Sequence, residues 1–133
     1  MTGYFTADMT GATYHPLNPV RLLDSRYGMG LSGPLSSHVA RTFQVTGRDV
    51  VPTSATAATG NLTVTGQTAL GYFYLGPIAT NNPTSSTLNF PVGDNRSNGV
   101  SVALGSGGTL SVTYVADPGA TADVIFDATG YYS

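Results

Sequence analysis

The chain of 133 residues contains no cysteine, no tryptophan, no lysine and no glutamate. Absence of cysteine excludes disulfides, thiolate-bound zinc and thiol catalysis. Absence of lysine removes the Lys–Asn isopeptide staple found in many bacterial surface domains, and a Thr–Gln ester would have to use Gln44 or Gln67. Charge is scarce, at 9% of residues: five arginines (Arg21, Arg26, Arg41, Arg48 and Arg96) against seven aspartates, for a formal net charge of -2. Counterion release, which drives nucleic-acid binding, has almost nothing to work with, so nucleic acid is not an expected partner. No stretch approaches the roughly 18 apolar residues of a membrane span. Met1 is followed by Thr-Gly-Tyr instead of a basic region and an apolar run, so these residues contain no signal peptide. A module cut from a longer secreted protein would lack one as well.

What is present points to strands. With Lys and Glu missing, surface positions fall to Thr, Ser, Gly, Val and Tyr, which suit pleated surfaces and turns better than helices. Alternation of apolar and polar residues recurs at 20–23, 39–45, 61–65, 70–75, 87–91, 100–104, 110–115 and 122–128. Between these runs lie Gly28-Met29-Gly30, Gly47-Arg48-Asp49, Asn81-Asn82-Pro83, Gly93-Asp94-Asn95, Gly105-Ser106-Gly107-Gly108 and Asp117-Pro118-Gly119, all turn chemistry. The spacing predicts an all-β fold with little or no helix: a single β-sandwich of eight or nine strands on a Greek-key or jelly-roll path. A chain of this length buries about two-thirds of its unfolded surface, enough for one stable core.

The two ends of the chain echo each other. Thr2-Gly3-Tyr4-Phe5-Thr6 matches Thr129-Gly130-Tyr131-Tyr132-Ser133, so residues 1–8 read as the tail of a preceding copy and residues 9–133 as one module. Within that module, Pro19-Val20-Arg21-Leu22-Leu23-Asp24-Ser25-Arg26 and Ala122-Asp123-Val124-Ile125-Phe126-Asp127-Ala128-Thr129-Gly130-Tyr131-Tyr132 are the most specific blocks. Shorter ones fall at 61–65, 71–73, 85–89 and 98–102. Together they resemble the blocks of a β-rich accessory repeat of secreted and cell-surface proteins of actinobacteria and related soil bacteria. That resemblance implies an extracellular, non-catalytic module occurring alone, in tandem or beside hydrolase domains.

Candidate sites compete with structural roles. Arg21, Asp24 and Arg26 have the makings of an anion fork, but in so sparsely charged a chain an ion-pair network of Arg21, Asp24, Arg26, Asp123 and Asp127, fixing the first strand to the last, is the stronger expectation. Asp123 and Asp127 share one strand face with Ile125 and lie about 13 Å apart, too far for the paired carboxylates of a glycosidase. No Gly-x-Ser-x-Gly elbow exists, and the only histidines, His15 and His38, fall in loop-like stretches where a solvated ring is expected. Asp94, Asn95 and Asn98 cluster oxygen ligands and are the best metal guess, for Ca2+, although Arg96 stands among them. No other cofactor is expected.

Tyr72, Tyr74 and Tyr27 are the candidate ligand-binding residues, because an exposed tyrosine face stacks on a sugar ring while Asn, Asp and Arg bond its hydroxyls. Alternation places Phe73 in the core beneath Tyr72 and Tyr74. Thr63-Val64-Thr65 and Ser111-Val112-Thr113 hint at spaced hydroxyls, but two pairs do not make an array. Asn61-Leu62-Thr63 and Asn95-Arg96-Ser97 match the N-glycosylation pattern. The expected function is therefore a structural or adhesive repeat of a secreted or surface protein whose partners are neighbouring copies. The alternative is a carbohydrate-binding module directed at polysaccharide. No enzyme activity and no membrane insertion are expected.

Overall fold

The computed structural model describes residues 1–133 and contains nine strands, one 3-10 turn and no α-helix. The strands are β1 (Tyr14–Asp24), β2 (Leu35–Ser36), β3 (Arg41–Gln44), β4 (Ala57–Thr65), β5 (Gly71–Gly76), β6 (Leu88–Phe90), β7 (Arg96–Ala103), β8 (Thr109–Val115) and β9 (Thr121–Tyr132). The 3-10 turn η1 (Ser25–Tyr27) follows β1 directly, with Asp24 accepting the Arg26 amide as its N-cap and Gly28 closing it at φ 72°.

Strand pairing explains the architecture. β1 pairs with β9, β3 with β8, β4 with β7 and β5 with β6, all antiparallel, as if one long hairpin had been closed at the β5–β6 connection and then rolled up. Rolling brings β9 beside β4 and β8 beside β5. The result is one sheet in the order β1-β9-β4-β7, with short β2 extending the β1 side of β9, facing a second in the order β3-β8-β5-β6. Two such interlocked Greek keys in two packed sheets define a jelly roll.

Side-chain alternation fills the space between the sheets. On β4, Ala58, Leu62 and Val64 point inward and are fully buried, while Thr59, Asn61, Thr63 and Thr65 look outward. Phe43 of β3 meets Phe126 of β9 across the sandwich at 5.9 Å between ring centres. Phe73, Phe90 and Tyr114 form a second aromatic group at 5.0 to 5.8 Å. The buried Tyr114 hydroxyl donates to the Ala69 carbonyl at 2.6 Å, and burial pushes its pKa up. Gly60 is required by packing: a Cβ there would stand 2.5 Å from the Phe126 ring.

β8 departs from alternation, for its outward-facing Ser111 and Thr113 are as buried as its core residues. Residues 77–87 fold back over part of the outer face of the second sheet and cover Thr113, while the Ser111 hydroxyl bonds the Thr42 hydroxyl and the Arg41 carbonyl of β3 at 3.2 Å each. Thr113 donates to the Thr80 carbonyl at 2.6 Å, Tyr72 to the Pro83 carbonyl at 3.1 Å, and the Ala40 amide to the Asn81 side chain at 2.9 Å.

Several boundaries differ from the sequence reading. β1 and β7 are longer than their alternating runs: Asn98 and Gly99 pair with Leu62 and Asn61 of β4 although the pattern lapses there, and β1 runs back to Tyr14 across an irregular stretch between Pro16 and Val20, with Tyr14, His15 and Pro16 opposite Tyr132, Tyr131 and Gly130. Regular pairing begins at Thr13, which exchanges both backbone hydrogen bonds with Ser133, so the sandwich starts four residues later than the repeat match suggests. Residues 1–12 are exposed throughout.

Candidate functional site

Three clusters of polar chemistry stand out. The first joins the outermost strands of the chain. Arg21 lies opposite Asp127 in the β1–β9 register and grips it with two nitrogens, at 2.8 and 3.2 Å. Its remaining nitrogen reaches Asp24 at 3.2 Å. Arg26 places a second fork on Asp24, both contacts at 2.9 Å, and its guanidinium lies 5.0 Å from the Tyr27 ring centre. Asp24 is buried between them, and hydrogen bonding to Arg26 holds its carboxyl below the usual range. Bonding to Asp127 and to Asp24 raises the arginine pKa values in turn.

Asp123 joins this group in a different way from that expected. It meets Ser25 instead of an arginine: the Ser25 hydroxyl donates to Asp123 at 2.8 Å and accepts the Val124 amide at 3.0 Å. The serine thus bridges η1 to β9. Both forks are engaged on carboxylates of the chain itself, although the two arginine side chains stay 43% and 36% exposed.

The second cluster is a shallow groove beside the four-stranded sheet, lined by Leu70, Tyr72, Asn89, Phe90, Pro91 and Arg96. Tyr72 lies opposite Asn89 on paired strands, and Arg96 enters from the start of β7, its Nε 3.1 Å from Asp94. The groove therefore combines an aromatic ring, an amide and a half-exposed guanidinium–carboxylate pair. The other candidate tyrosines lie elsewhere. Tyr74 is half-buried and folds over Gly76 on the same strand, where a Cβ would come within 2.2 Å of its hydroxyl. Tyr27 is 78% exposed on η1, outside the groove. Sequence alternation identified Tyr72 correctly as outward-facing; Asn89 and Arg96 gave no comparable signal, because their meeting depends on the β5–β6 pairing and the β6–β7 turn.

The third is a polar notch lined by Gln44, Thr46, Thr53, Thr56 and the glycines at 105, 107 and 108. Gln44 is spent on backbone carbonyls there, donating to Gly107 at 2.8 Å and Thr46 at 3.0 Å. Gln67 likewise bonds the carbonyls of Pro91 and Asp94, tying the β4–β5 turn to the β6–β7 turn.

Asp94, Asn95 and Asn98 do not form a cation cage. The Asp94 carboxylate accepts from Arg96, and Asn98 sits within β7, donating to the Thr87 carbonyl at 3.0 Å. The charge partner of Asp94 in this turn is thus Arg96, and no group of three or more His or Asp side chains in the chain is arranged to hold a metal. His15 proves to be a strand residue whose ring stacks on Tyr131 at 4.9 Å. His38 is in a loop, yet its ring nitrogen is held 3.0 Å from both Asn81 and Asn82 oxygens. The two hydroxyl pairs face opposite sides: Thr63 and Thr65 lie on the outer face of the first sheet, while Ser111 and Thr113 are buried on that of the second, bonded to β3 and to the Thr80 carbonyl. No helix is long and apolar enough to cross a membrane.

Neither models of known protein families nor curated proteins give a match to this chain.

Proposed function

We propose that this chain is a non-catalytic module of a secreted or cell-surface protein, one copy of a tandem jelly-roll repeat. The observation that carries this reading is the contrast between the two Thr-Gly-Tyr segments. At the end of β9, Gly130, Tyr131 and Tyr132 are inserted between β1 and β4 and are buried or half-buried. The matching residues 2–6 have no strand neighbours, and their aromatics, Tyr4 and Phe5, are 83% and 91% exposed. An aromatic pair left in water beside a domain that buries the same pair elsewhere suits the last strand of a preceding copy. The internal use of every arginine supports a structural role: Arg21, Arg26 and Arg96 bond aspartates, while Arg41 and Arg48 bond backbone carbonyls of residues 32, 33, 22 and 44.

Thermal unfolding of the chain lacking residues 1–12 tests this. The unfolding temperature is expected to stay within about 2 °C of the full chain, whereas Tyr131→Ser lowers it clearly. A marked loss on removing residues 1–12 would make them part of this fold and defeat the repeat reading.

A second reading, polysaccharide binding, is favoured by the groove at Tyr72. A tyrosine ring beside an amide and an exposed Arg–Asp pair matches a pyranose, which offers one apolar face and a rim of hydroxyls. Retention of the chain on insoluble polysaccharides and bacterial cell walls is the assay. Loss of retention in Asn89→Ala and in Tyr72→Ala, with Tyr27→Ala unchanged, supports the groove; uniform failure to be retained removes this reading.

A further inference from the structure

The geometry points to tandem copies that splay from a shared end instead of stacking into a rod. This rests on the repeat reading above, but it follows from a different observation, the position of the first and last paired residues. Thr13 and Ser133 hydrogen-bond to each other at 2.9 and 3.0 Å, and Tyr14 lies opposite Tyr132. The chain therefore enters and leaves the sandwich at one end, through neighbouring antiparallel strands.

In the repeat frame, residues 2–6 are the end of the preceding β9, and β1 begins at Tyr14. Residues 7–13 alone connect the two copies. Fully extended, seven residues reach about 25 Å. The connector is shorter than that limit because it turns: Asp8 accepts both the amide and the hydroxyl of Thr10, at 3.0 and 2.6 Å. A head-to-tail rod requires the chain to return along the whole sandwich, and β9 alone, with 12 residues, runs about 40 Å. The connector cannot span that. Successive copies are thus tethered terminal end to terminal end.

The opposite end then points away from the junction in every copy. That end carries the β4–β5, β6–β7 and β8–β9 turns, and with them Leu70, Pro91 and Arg96 of the Tyr72 groove. A string of such modules is a cluster with its far ends outward, the arrangement that gains avidity from several weak contacts at once.

The experiment uses a two-copy chain, residues 1–133 followed directly by residues 7–133. Because the chain has no cysteine, paired spin labels report cleanly. One pair is placed at the terminal end, Ser54→Cys in both copies; Ser54 contacts Ser133 at 3.0 Å. The other is at the far end, Leu70→Cys in both copies, a residue 72% exposed. The expected result is a Ser54 separation within connector reach, about 25 Å between backbones, and a clearly longer Leu70 separation. Equal separations for the two pairs, whether from a rod or from side-by-side docking, overturn the inference, as does a longer Ser54 pair. Ala103→Cys and Val92→Cys repeat the measurement should either first site disturb folding. Failure of the repeat reading shows up separately, as destabilisation on removing residues 1–12, which leaves these distances untouched.

Discussion

Replacing Asp24 with asparagine isolates the ion-pair cluster that fastens the first strand to the last. The substitution keeps the shape of the side chain but removes its charge and turns one acceptor oxygen into a donor. Asp24 accepts three guanidinium contacts, at 2.9, 2.9 and 3.2 Å, together with the Arg26 amide at 3.2 Å. Hydrogen bonds to charged groups contribute about 1.5–3 kcal/mol each when shielded. Here the arginines are 43% and 36% exposed, so water replaces part of what they lose and each contact is worth well under that figure. A net loss of about 2 kcal/mol is expected at pH 7, read from urea unfolding followed by tyrosine fluorescence. The pH dependence gives a second check. Because the folded-state pKa of Asp24 lies below its unfolded value, its contribution is complete above the ordinary carboxylate range and is lost as pH falls through the lowered value. The gap between wild type and Asp24→Asn is therefore constant from pH 7 down to about 5 and closes below about 4. A variant within about 0.5 kcal/mol of wild type at pH 7, or a gap that widens in acid, refutes the assignment.

Two core substitutions probe the sandwich itself. Gly60→Ala drives a methyl group into the Phe126 ring and the Asp127 carbonyl, at 2.5 and 2.6 Å before relaxation, and is expected to cost about 1–3 kcal/mol in the same unfolding assay; a neutral result would mean the sheet is more loosely packed there than described. Tyr114→Phe keeps the aromatic packing but strands the Ala69 carbonyl, for an expected loss of about 1–2 kcal/mol; a change below about 0.3 kcal/mol would show that water reaches that carbonyl.

Much of the fold was legible in the residues, for identifiable reasons. β4 was legible over 61–65, where Leu62 and Val64 face the core and Asn61, Thr63 and Thr65 face outward; burial goes on alternating back to Ala57, but Ala57, Ala58 and Gly60 carry no apolar–polar contrast to record it. β8 reads less plainly, since its outward-facing Ser111 and Thr113 are buried, with hydroxyls bonded to the Arg41 carbonyl of β3 and to the Thr80 carbonyl. β2, two residues long, carries no period at all and exists only because the start of β9 offers a free edge. The start of β7 is hidden for a similar reason: Asn98 and Gly99 lie outside the alternating run at 100–104, yet Leu62 and Asn61 of β4 hold them in register as strand. In the charged cluster, Arg21, Asp24 and Asp127 were visible from scarcity of charge, while the route from Asp123 through Ser25 was not. A hydroxyl linking η1 to β9 depends on the rolled path that brings residues 25 and 123 together.

The position of the termini also decides how the module responds to load. Tension applied through Thr13 and Ser133 acts on neighbouring antiparallel strands at their common end, so it peels β1 from β9 one residue pair at a time, beginning with Tyr14 and Tyr132. In that geometry each hydrogen bond bears the force alone, whereas tension along the strands loads many together. The first strong obstacle is the two-pronged contact between Arg21 and Asp127, roughly two-thirds of the way along β1. A module built to bear tension as a stalk would gain from entering at one end and leaving at the other. Single-molecule pulling on the chain through its two termini should accordingly open it at lower force than pulling between residue 70, at the far end, and Ser133. Equal forces in the two directions would show that the β1–β9 ladder does not peel, and would remove the mechanical argument for a clustered display over a load-bearing stalk.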